Sequence, residues 1–599
     1  MSQQNMTIAA LQQAYKTGDL SPKQVIENAL ERCQQYLDHN IWIELFSLEQ
    51  LQPYLDALEN SSIEDKPLFG IPFAIKDNIE LAGFPVTAGC EAYTYTPDKS
   101  AFVVQQLIDA GAIPLGKTNL DQFATGLVGV RSPEKWGPCH NSFDKDYISG
   151  GSSSGSAVAV ALGLVSFSLG TDTAGSGRVP AAFNNLIGLK PTRGLLSTDG
   201  VVPACRSLDC VSIFSLTTDD ANTVFNVAAE FDANDAFARP NLDTNKGNYG
   251  RLAESTFSFA VPKPDQLNFF GDAEYAEQFE KAVKHLESLG GKKQFIDFEP
   301  FFTAARLLYE GPWVAERRVA TEGVDRQAML KVIQDILATQ EDARADDLFK
   351  AEYKLQACRQ QVRDALESYD FILTPTAGTT YTIEQVQADP IKLNSNLGHY
   401  TNFMNLLDCS AIAVPTGFIS SGLPFGVTLF SRAFSDARLL SYANLMQQSL
   451  RLPLGAIDVA CPDSTAAISG CGDRITVAVC GAHLQGQPLN YQLTERGGVF
   501  LEKTVTANTY KLYALAGGPP KRPGLVRDEN GAEIEIELWS LPTATLGSFL
   551  AGIAAPLGLG KLEIKGGRWV TGFICESYGL EQATDITSFR SWRKYLLNK

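Results

Sequence analysis

Residues 150–178 (GGSSSGSAVAVALGLVSFSLGTDTAGSGR) place a glycine- and serine-rich segment on either side of an apolar run, Ala157–Leu169. A serine hydroxyl becomes a nucleophile when a base removes its proton, and backbone N–H groups beside it can stabilise an oxyanion. The whole chain contains only five histidines. The stretch therefore predicts acyl transfer by a serine whose base is not a histidine.

The composition limits the possible partners. The chain has 599 residues, 44% of them hydrophobic and 20% charged, with a formal net charge of −18. An acidic chain binds nucleic acid and anionic membranes poorly, so we expect neither, and an anionic substrate would need a local cation. The chain shows no signal peptide and no apolar run of membrane-spanning length, so we expect a cytoplasmic protein. The 11 cysteines lack C-x-x-C pairs, which favours free thiols over disulfides or a metal site.

The residues around this stretch predict alternating helices and strands. Ser21-Pro22 precedes apolar residues at helical spacing and predicts a helix start, whereas Leu68–Ile79 is typical of a buried strand. We also expect a helix at 101–110, strands at 112–116 and 371–376, and a helix followed by a strand within 400–418. This alternation up to about residue 217 favours an α/β fold, with a mixed β-sheet core covered by helices.

The composition changes near residues 455–473, which are rich in small and turn-forming residues and lack periodicity. Beyond them, short β-rich runs dominate, and 533–540 (EIEIELWS) alternates as a half-buried strand does. We therefore predict a domain at 1–455, a linker at 456–473 and a smaller α+β domain at 474–599.

Lys76 ends the apolar run at 74–76. From residue type and position alone, a solvent-facing lysine is favoured, because a free lysine with a pKa near ~10.4 is charged at pH 7. Burial can lower such a pKa by ~2–3 units and make a lysine a base. The pattern leaves both interpretations open.

Three segments together resemble the amidase signature family over about residues 1–455. They are IKDN (75–78), GGSSSGSA (150–157) and GTDTAGSGRVPAAFNNLIGLKPT (170–192). The resemblance implies a Ser–cis-Ser–Lys triad: Ser176 as nucleophile, Ser152 as the bridging serine after a cis peptide bond, and Lys76 as general base. It also implies no metal or organic cofactor. The implied oxyanion hole consists of the amides of Thr173, Ala174, Gly175 and Ser176, although the family usually has glycine at position 174.

Two charged residues, Asp172 and Arg178, flank the predicted nucleophile. Their residue types allow a chemical role, but an ion pair that braces the loop is favoured.

Residues 309–317 (YEGPWVAER) could specify the substrate. Taken alone, they favour a surface helix on which Trp313 and Arg317 share a face and the arginine is solvated. They resemble, however, the pocket segment of allophanate hydrolases, which implies that Tyr309 and Arg317 contact the substrate. The segment 123–133 (FATGLVGVRSP) resembles the same subfamily.

The C-terminal part resembles the domain that follows the amidase in allophanate hydrolases. The matching segments are 477–498, 519–526 and 549–564. The resemblance implies a γ-glutamylcyclotransferase-like fold, with His483 as the candidate functional residue. A lone loop histidine is equally compatible with a structural role.

The resemblance implies hydrolysis of allophanate (urea-1-carboxylate) to ammonia and N-carboxycarbamate, which then loses CO₂ and yields a second ammonia. It also implies a link to urea carboxylase or to cyanuric-acid degradation, and a homodimer. The alternatives are an amidase for another small amide, a glutamine-dependent amidotransferase subunit, or a non-catalytic scaffold.

Overall fold

The computed structural model describes residues 4–59, 61–242, 245, 249–252, 256–466, 469–470 and 474–598. The chain divides into two units, the first formed by 1–241 with 256–468 and the second by 242–255 with 469–599. Part of the predicted linker, 467–468 and 471–473, lies outside the described residues. None of the helices in the described ranges combines the length and apolarity needed to cross a membrane.

The first unit is built on one large sheet. Up to Arg432 the strands are β1 (Trp42–Leu45), β2 (Pro72–Lys76), β3 (Ile113–Thr118), β4 (Phe167–Asp172), β5 (Ile187–Lys190), β6 (Cys210–Ser215), β7 (Arg251–Leu252), β8 (Phe257–Pro262), β9 (Gly291–Ile296), β10 (Phe371–Pro375), β11 (Cys409–Phe418) and β12 (Pro424–Arg432). All except β7 form an 11-stranded sheet in the order β1-β3-β2-β4-β6-β5-β11-β12-β10-β8-β9. Parallel pairs such as β2–β4 occur beside antiparallel pairs such as β4–β6. The predicted mixed sheet is confirmed.

Helices cover this sheet. In the first unit they are α1 (Ile8–Thr17), α2 (Pro22–Gln35), α3 (Leu48–Asp56), α4 (Phe102–Asp109), α5 (Ser154–Ala161), α6 (Val179–Phe183), α7 (Thr218–Ala228), α8 (Ala273–Ser288), α9 (Glu299–Glu310), α10 (Trp313–Ala320), α11 (Lys331–Ala338), α12 (Ala345–Ser368), α13 (Ile383–Ala388), α14 (Lys392–Leu397) and α15 (Asp436–Leu450). The predicted start of α2 is confirmed, because Ser21 and Gln24 form a reciprocal capping box and Pro22 opens the helix.

Helix α5 is buried on every side, which matches its composition of small and apolar residues. A Cβ on Gly155 would lie 2.2 Å from the carbonyl oxygen of Ile41 and 2.7 Å from the amide of Asn119. The glycine thus lets the helix approach neighbouring backbone closely. This packing fixes the start of α5, which follows Ser152 by two residues, against the sheet.

Residues 400–408 form turns, so the prediction of a helix before the strand at 409–418 was wrong. The carbonyl oxygen of Thr401 accepts a hydrogen bond from Arg178, at 3.3 Å. The side-chain amide of Asn405 donates to the carbonyl oxygens of Asp172 and Thr173, at 2.7 and 3.1 Å. These hydrogen bonds to residues distant in sequence stabilise a non-helical backbone at 400–408.

The second unit has its own core. Its remaining strands are β13 (Ser469–Gly470), β14 (Arg474–Val479), β15 (Val499–Val505), β16 (Tyr510–Ala514), β17 (Pro523–Arg527), β18 (Glu535–Pro542), β19 (Leu557–Glu563), β20 (Trp569–Cys575) and β21 (Thr584–Asp585), and its helices are α16 (Tyr491–Thr494), α17 (Thr543–Ala551) and α18 (Trp592–Leu597). One sheet has five strands in the order β15-β18-β14-β20-β19, and another has three in the order β17-β16-β21. Apolar side chains from its strands and helices form one buried cluster, which includes Val477, Leu538 and Trp592.

Candidate active site

Lys76 and Ser152 are in direct contact. Strands β2 and β4 are parallel, so Lys76 at the end of β2 lies at the same sheet edge as the loop that follows β4. The Lys76 Nζ donates to the Oγ of Ser152 and to the Oγ1 of Thr171, both at 2.7 Å. The peptide bond between Gly151 and Ser152 is cis. Thr171 is a further contact of Lys76 that the sequence analysis did not predict.

Lys76 is completely buried, which contradicts the solvent-facing alternative. Burial lowers its pKa to about 7, against the opposing effect of carboxylates led by Asp121 and followed by Asp209 and Asp172. The positive charge of Arg317 lowers this pKa further. A lysine with this pKa is partly neutral near pH 7 and can act as a base.

Ser176 is also buried, and its hydroxyl donates to the carbonyl oxygen of Gly126 at 3.3 Å. The hydroxyl therefore points to the 123–133 segment, and no hydrogen bond with Ser152 occurs among these described residues. The Ser176 hydroxyl is thus hydrogen-bonded to a backbone carbonyl in this structure.

The loop after β4 presents backbone amides beside Ser176. The amides of Thr173, Ala174 and Ser176 have no protein acceptor in the part of the chain that the structure describes. The amide of Gly175, by contrast, donates to Asp172 Oδ1 at 2.8 Å. The role of Gly175 as an oxyanion donor stays a prediction, and its N–H already has an acceptor in this structure. Three of the four predicted amides remain available.

Asp172 and Arg178 form a buried bidentate ion pair, with both N–O distances at 2.9 Å. Burial acts to raise the pKa of Asp172, but the charge and hydrogen bonds of Arg178 outweigh it and hold the pKa below its usual value. Asp172 also accepts the Gly177 amide at 3.0 Å. This geometry is that of a loop brace, and loss of one partner of such a pair costs about 3–5 kcal/mol.

Arg317 lies on α10 with only 2% of its surface exposed, so the solvated-arginine alternative is wrong. Its Nη1 donates to the Oγ1 of Thr125 at 2.9 Å, and its guanidinium carbon is 5.6 Å from the ring centroid of Tyr309. The Nε of Arg317 is buried without a hydrogen-bond partner. Such a group has donor capacity left for a ligand.

Asp209 is a further site residue that sequence reasoning missed. It accepts from the hydroxyl of Thr173 at 2.5 Å and from the amides of Ala204 and Cys205 at 2.8 and 3.2 Å. Burial raises its pKa to about 6, and these hydrogen bonds and the charge of Arg317 oppose the rise. The Asp209 carboxylate therefore binds the loop that bears the amides, and its charge raises the pKa of Lys76. Its position just before β6 gave no periodic signal.

Reaction of Ser176 with a serine-directed sulfonyl fluoride is expected to accelerate as the pH rises through about 7, because Lys76 must lose its proton to act as a base. Asp209→Asn removes a negative charge that raises the Lys76 pKa, so the rising limb should move to lower pH. Arg317→Met removes a positive charge, so the limb should move to higher pH. Each shift should be about 0.5–1 pH unit. The inactivation rate is measured from pH 5 to 9.

This reagent carries no carboxylate, so loss of substrate binding in the Arg317 variant does not affect the measurement. Ser176→Ala provides the blank. Shifts of the two variants in the same direction would contradict the electrostatic assignment.

Two family models match the chain. The Amidase model matches residues 24–440, and the Allophanate hydrolase C-terminal domain model matches residues 475–597.

One curated relative is the urea amidolyase of Saccharomyces cerevisiae, which is 43% identical over an alignment of 579 positions that covers 93% of this chain and 31% of the relative. The chain thus spans about a third of the length of the first curated relatives that it matches.

Two solved structures resemble the chain over nearly its whole length. The allophanate hydrolase of Kluyveromyces lactis is 39% identical, with 99% of both chains covered and a TM-score of 0.72. The urea amidolyase of K. lactis is also 39% identical, with a TM-score of 0.72, and the match covers 99% of this chain and 36% of that one. The similarity therefore extends through both units.

Proposed function

The chain belongs to the amidase family and carries an allophanate hydrolase C-terminal domain, and we propose on this basis that it hydrolyses allophanate. The terminal amide is cleaved, and the products are ammonia and N-carboxycarbamate. The observation that carries the proposal is the buried guanidinium of Arg317, whose charge acts on Lys76. In a chain with a net charge of −18, this cation offers the carboxylate of the substrate a local partner.

Acylation begins with proton transfer away from Ser176. Neutral Lys76 accepts the hydroxyl proton of Ser152, which in turn accepts that of Ser176, while the Ser176 Oγ attacks the terminal carbonyl carbon. The carbonyl oxygen becomes an oxyanion, which the amides of Thr173, Ala174 and Ser176 stabilise. The loss of one such donor typically costs about 10²–10³ in rate.

Breakdown of the tetrahedral intermediate returns the proton through Ser152 to the leaving nitrogen, which departs as ammonia. The remaining acyl group is an ester of Ser176. Water, deprotonated through the same Ser152–Lys76 pair, attacks this ester and releases N-carboxycarbamate, which loses CO₂. The resulting carbamate breaks down to the second ammonia and a second CO₂.

Arg317 and Tyr309 select the substrate in this proposal. The planar guanidinium donates two parallel hydrogen bonds to a carboxylate, which a lysine ammonium does not do in the same geometry. Its Nη1 is held by Thr125, while its Nε has no protein partner. Simple amides and glutamine lack a carboxylate adjacent to the reacting urea-type group, so they gain less from this arginine.

We further propose that the second unit acts on N-carboxycarbamate. His483 lines a small cleft together with Arg522 and Phe573. Its ring stacks on Phe573 with centroids 4.9 Å apart, and its Nε2 lies 2.9 Å from Gln492 Oε1. Burial lowers the pKa of His483, which favours a neutral imidazole. A neutral imidazole in the same cleft as an arginine suits hydrogen bonding to a small carboxylate.

The proposal also includes the cellular setting of the enzyme. Allophanate is supplied by an enzyme that carboxylates urea, or by a cyanuric-acid degradation route. We propose a cytoplasmic homodimer, as the family resemblance implies.

The test compares ammonia release from allophanate, glutamine and propionamide. We expect rapid release of two ammonia molecules per allophanate and at least about 10²-fold lower kcat/KM for the two other amides. Preference for glutamine or propionamide would instead indicate an amidotransferase subunit or a general amidase. A lack of reaction with all three would favour a non-catalytic scaffold.

The same assay tests the second unit when ¹³C NMR follows the carbon products. His483→Ala should leave the first ammonia unchanged and prolong the lifetime of N-carboxycarbamate. His285→Ala, on α8 of the first unit, is the matched control. An unchanged lifetime in the His483 variant would refute a role in the second step.

A further inference from the structure

Thr125 connects two buried arginines. Its Oγ1 accepts from Arg317 Nη1, and its carbonyl oxygen accepts from Arg131 Nη1, both at 2.9 Å. Only 2% of Arg317 and 3% of Arg131 is exposed. Two guanidinium groups that are charged at all physiological pH values therefore converge on one residue.

Neither charge has a directly bonded carboxylate, although Asp121 acts electrostatically on Arg131, and Asp209 and Glu316 act on Arg317. Within the described ranges, no salt bridge of up to 4.0 Å involves either guanidinium, and the Nε of each is buried without a hydrogen-bond partner. Burial lowers the pKa of Arg131, Asp121 opposes this effect, and the charge of Arg317 adds to it. Because unpaired buried charge is costly, this arrangement suits a site that receives an anion.

The segment between the two contacts is held rigidly. The carboxylate of Asp121 accepts from the amides of Val128, Gly129 and Arg131, at 2.8 to 3.2 Å. The Nη2 of Arg131 also donates to the carbonyl oxygen of Pro390, at 2.7 Å. The Thr125 hydroxyl itself donates to the carbonyl oxygen of Phe123 at 3.1 Å, which orients its oxygen toward Arg317.

Gly126, the residue after Thr125, contacts the proposed nucleophile Ser176. Its φ is +158°, and a Cβ at this position would lie 2.4 Å from Asp121 Oδ2 and 3.0 Å from Arg131 Cδ. Its carbonyl oxygen accepts the hydroxyl of Ser176. Arg317 and Ser176 therefore form hydrogen bonds with two adjacent residues, Thr125 and Gly126, of the same segment.

We propose that Thr125 and Arg131 determine carboxylate specificity by positioning Arg317. The Thr125 hydroxyl fixes the guanidinium of Arg317 toward the carboxylate of the substrate, and Arg131 holds Thr125 and adds a second positive charge. Both are positioning residues that act through Arg317. The inference rests on the proposed hydrolysis of allophanate.

Thr125→Val keeps the branched shape and removes the hydroxyl. We expect the KM for allophanate to rise about 10- to 100-fold, as for a lost hydrogen bond to a charged group, with kcat within about twofold of the wild type. The rate of Ser176 inactivation by a sulfonyl fluoride should not change. Arg131→Gln should also raise KM, while Thr125→Ser should restore it to near the wild-type value.

Thr506→Val is the matched control. Thr506 is a buried threonine of the second unit whose hydroxyl also donates to a carbonyl oxygen and accepts an N–H. The KM of the Thr506→Val enzyme for allophanate should equal that of the wild type.

The outcomes separate the two proposals. A wild-type enzyme that releases no ammonia from allophanate overturns the proposed function. An active wild type with an unchanged KM in Thr125→Val overturns the present inference, and so does a loss confined to kcat with slower Ser176 inactivation. If Thr125→Val does not fold, an elevated KM in Thr125→Ser, which keeps the hydroxyl, has the same consequence.

Discussion

Ammonia release from allophanate is expected to fall by at least about 10⁴-fold when Ser176 is replaced with alanine, because no other group can form the acyl intermediate. Lys76 and Ser152 would remain in contact but would have no nucleophile to activate. The amides of Thr173 and Ala174 would still polarise the substrate carbonyl, so a small residual rate over water is expected. The measurement is ammonia release at saturating allophanate, with substrate binding measured separately by calorimetry.

Ser154→Ala is the control for this experiment. Ser154 is equally buried, but its hydroxyl donates at 3.3 Å to the carbonyl oxygen of Asn119 and not to the triad. We expect its rate to remain within about tenfold of the wild type, since one neutral hydrogen bond is worth about 1 kcal/mol. Ammonia release that survives in Ser176→Ala would show that the nucleophile is another residue.

Local patterns were sufficient for several elements, among them the strand that carries Lys76. The apolar run before Lys76 corresponds to β2, and Ser21-Pro22 begins α2. The alternating EIEIELWS corresponds to part of β18, Glu535–Pro542. In each case the residues that signal the element also make the hydrogen bonds or the burial that stabilises it, so the sequence carries the information locally.

The turns at 400–408 show where such patterns fail. Phe403, Met404 and Leu407 are buried and mimic a helical face, but Thr401 and Asn405 are held by the loop that bears the nucleophile. These contacts join residues more than 220 positions apart. A local pattern cannot indicate partners so distant in sequence. The tertiary hydrogen bonds determine the backbone conformation at 400–408.

The environment of Arg317 was equally hidden from the residues around it. Its helix has the spacing of a surface helix, and a solvated arginine is the usual result. The partner that fixes its guanidinium, Thr125, lies 192 positions away in the chain. Only the family resemblance indicated the pocket. It included the segment 123–133 but singled out neither Thr125 nor Arg131, and it did not include Asp209. Charge networks built from separate loops therefore require the folded structure.

Arg317→Met is expected to lower kcat/KM for allophanate by about 10²–10³-fold, or about 3–4 kcal/mol, with most of the change in KM. Methionine keeps an apolar chain of similar length on α10 but removes the charge that pairs with the substrate carboxylate. Arg317→Lys should recover only part of this loss, because an ammonium restores the charge without the planar pair of donors. Steady-state kinetics of ammonia release provide both constants.

Arg318→Met tests whether the effect belongs to the site or to the helix. Arg318 is the adjacent residue of α10, and its Nη1 donates at 2.8 Å to the carbonyl oxygen of Gln340, away from Tyr309 and Thr125. We expect nearly wild-type kinetics for this variant. Equal losses in both variants would mean that α10 acts through its stability. A loss confined to Arg317 would leave substrate recognition as the cause, since the two substitutions remove the same charge from neighbouring positions.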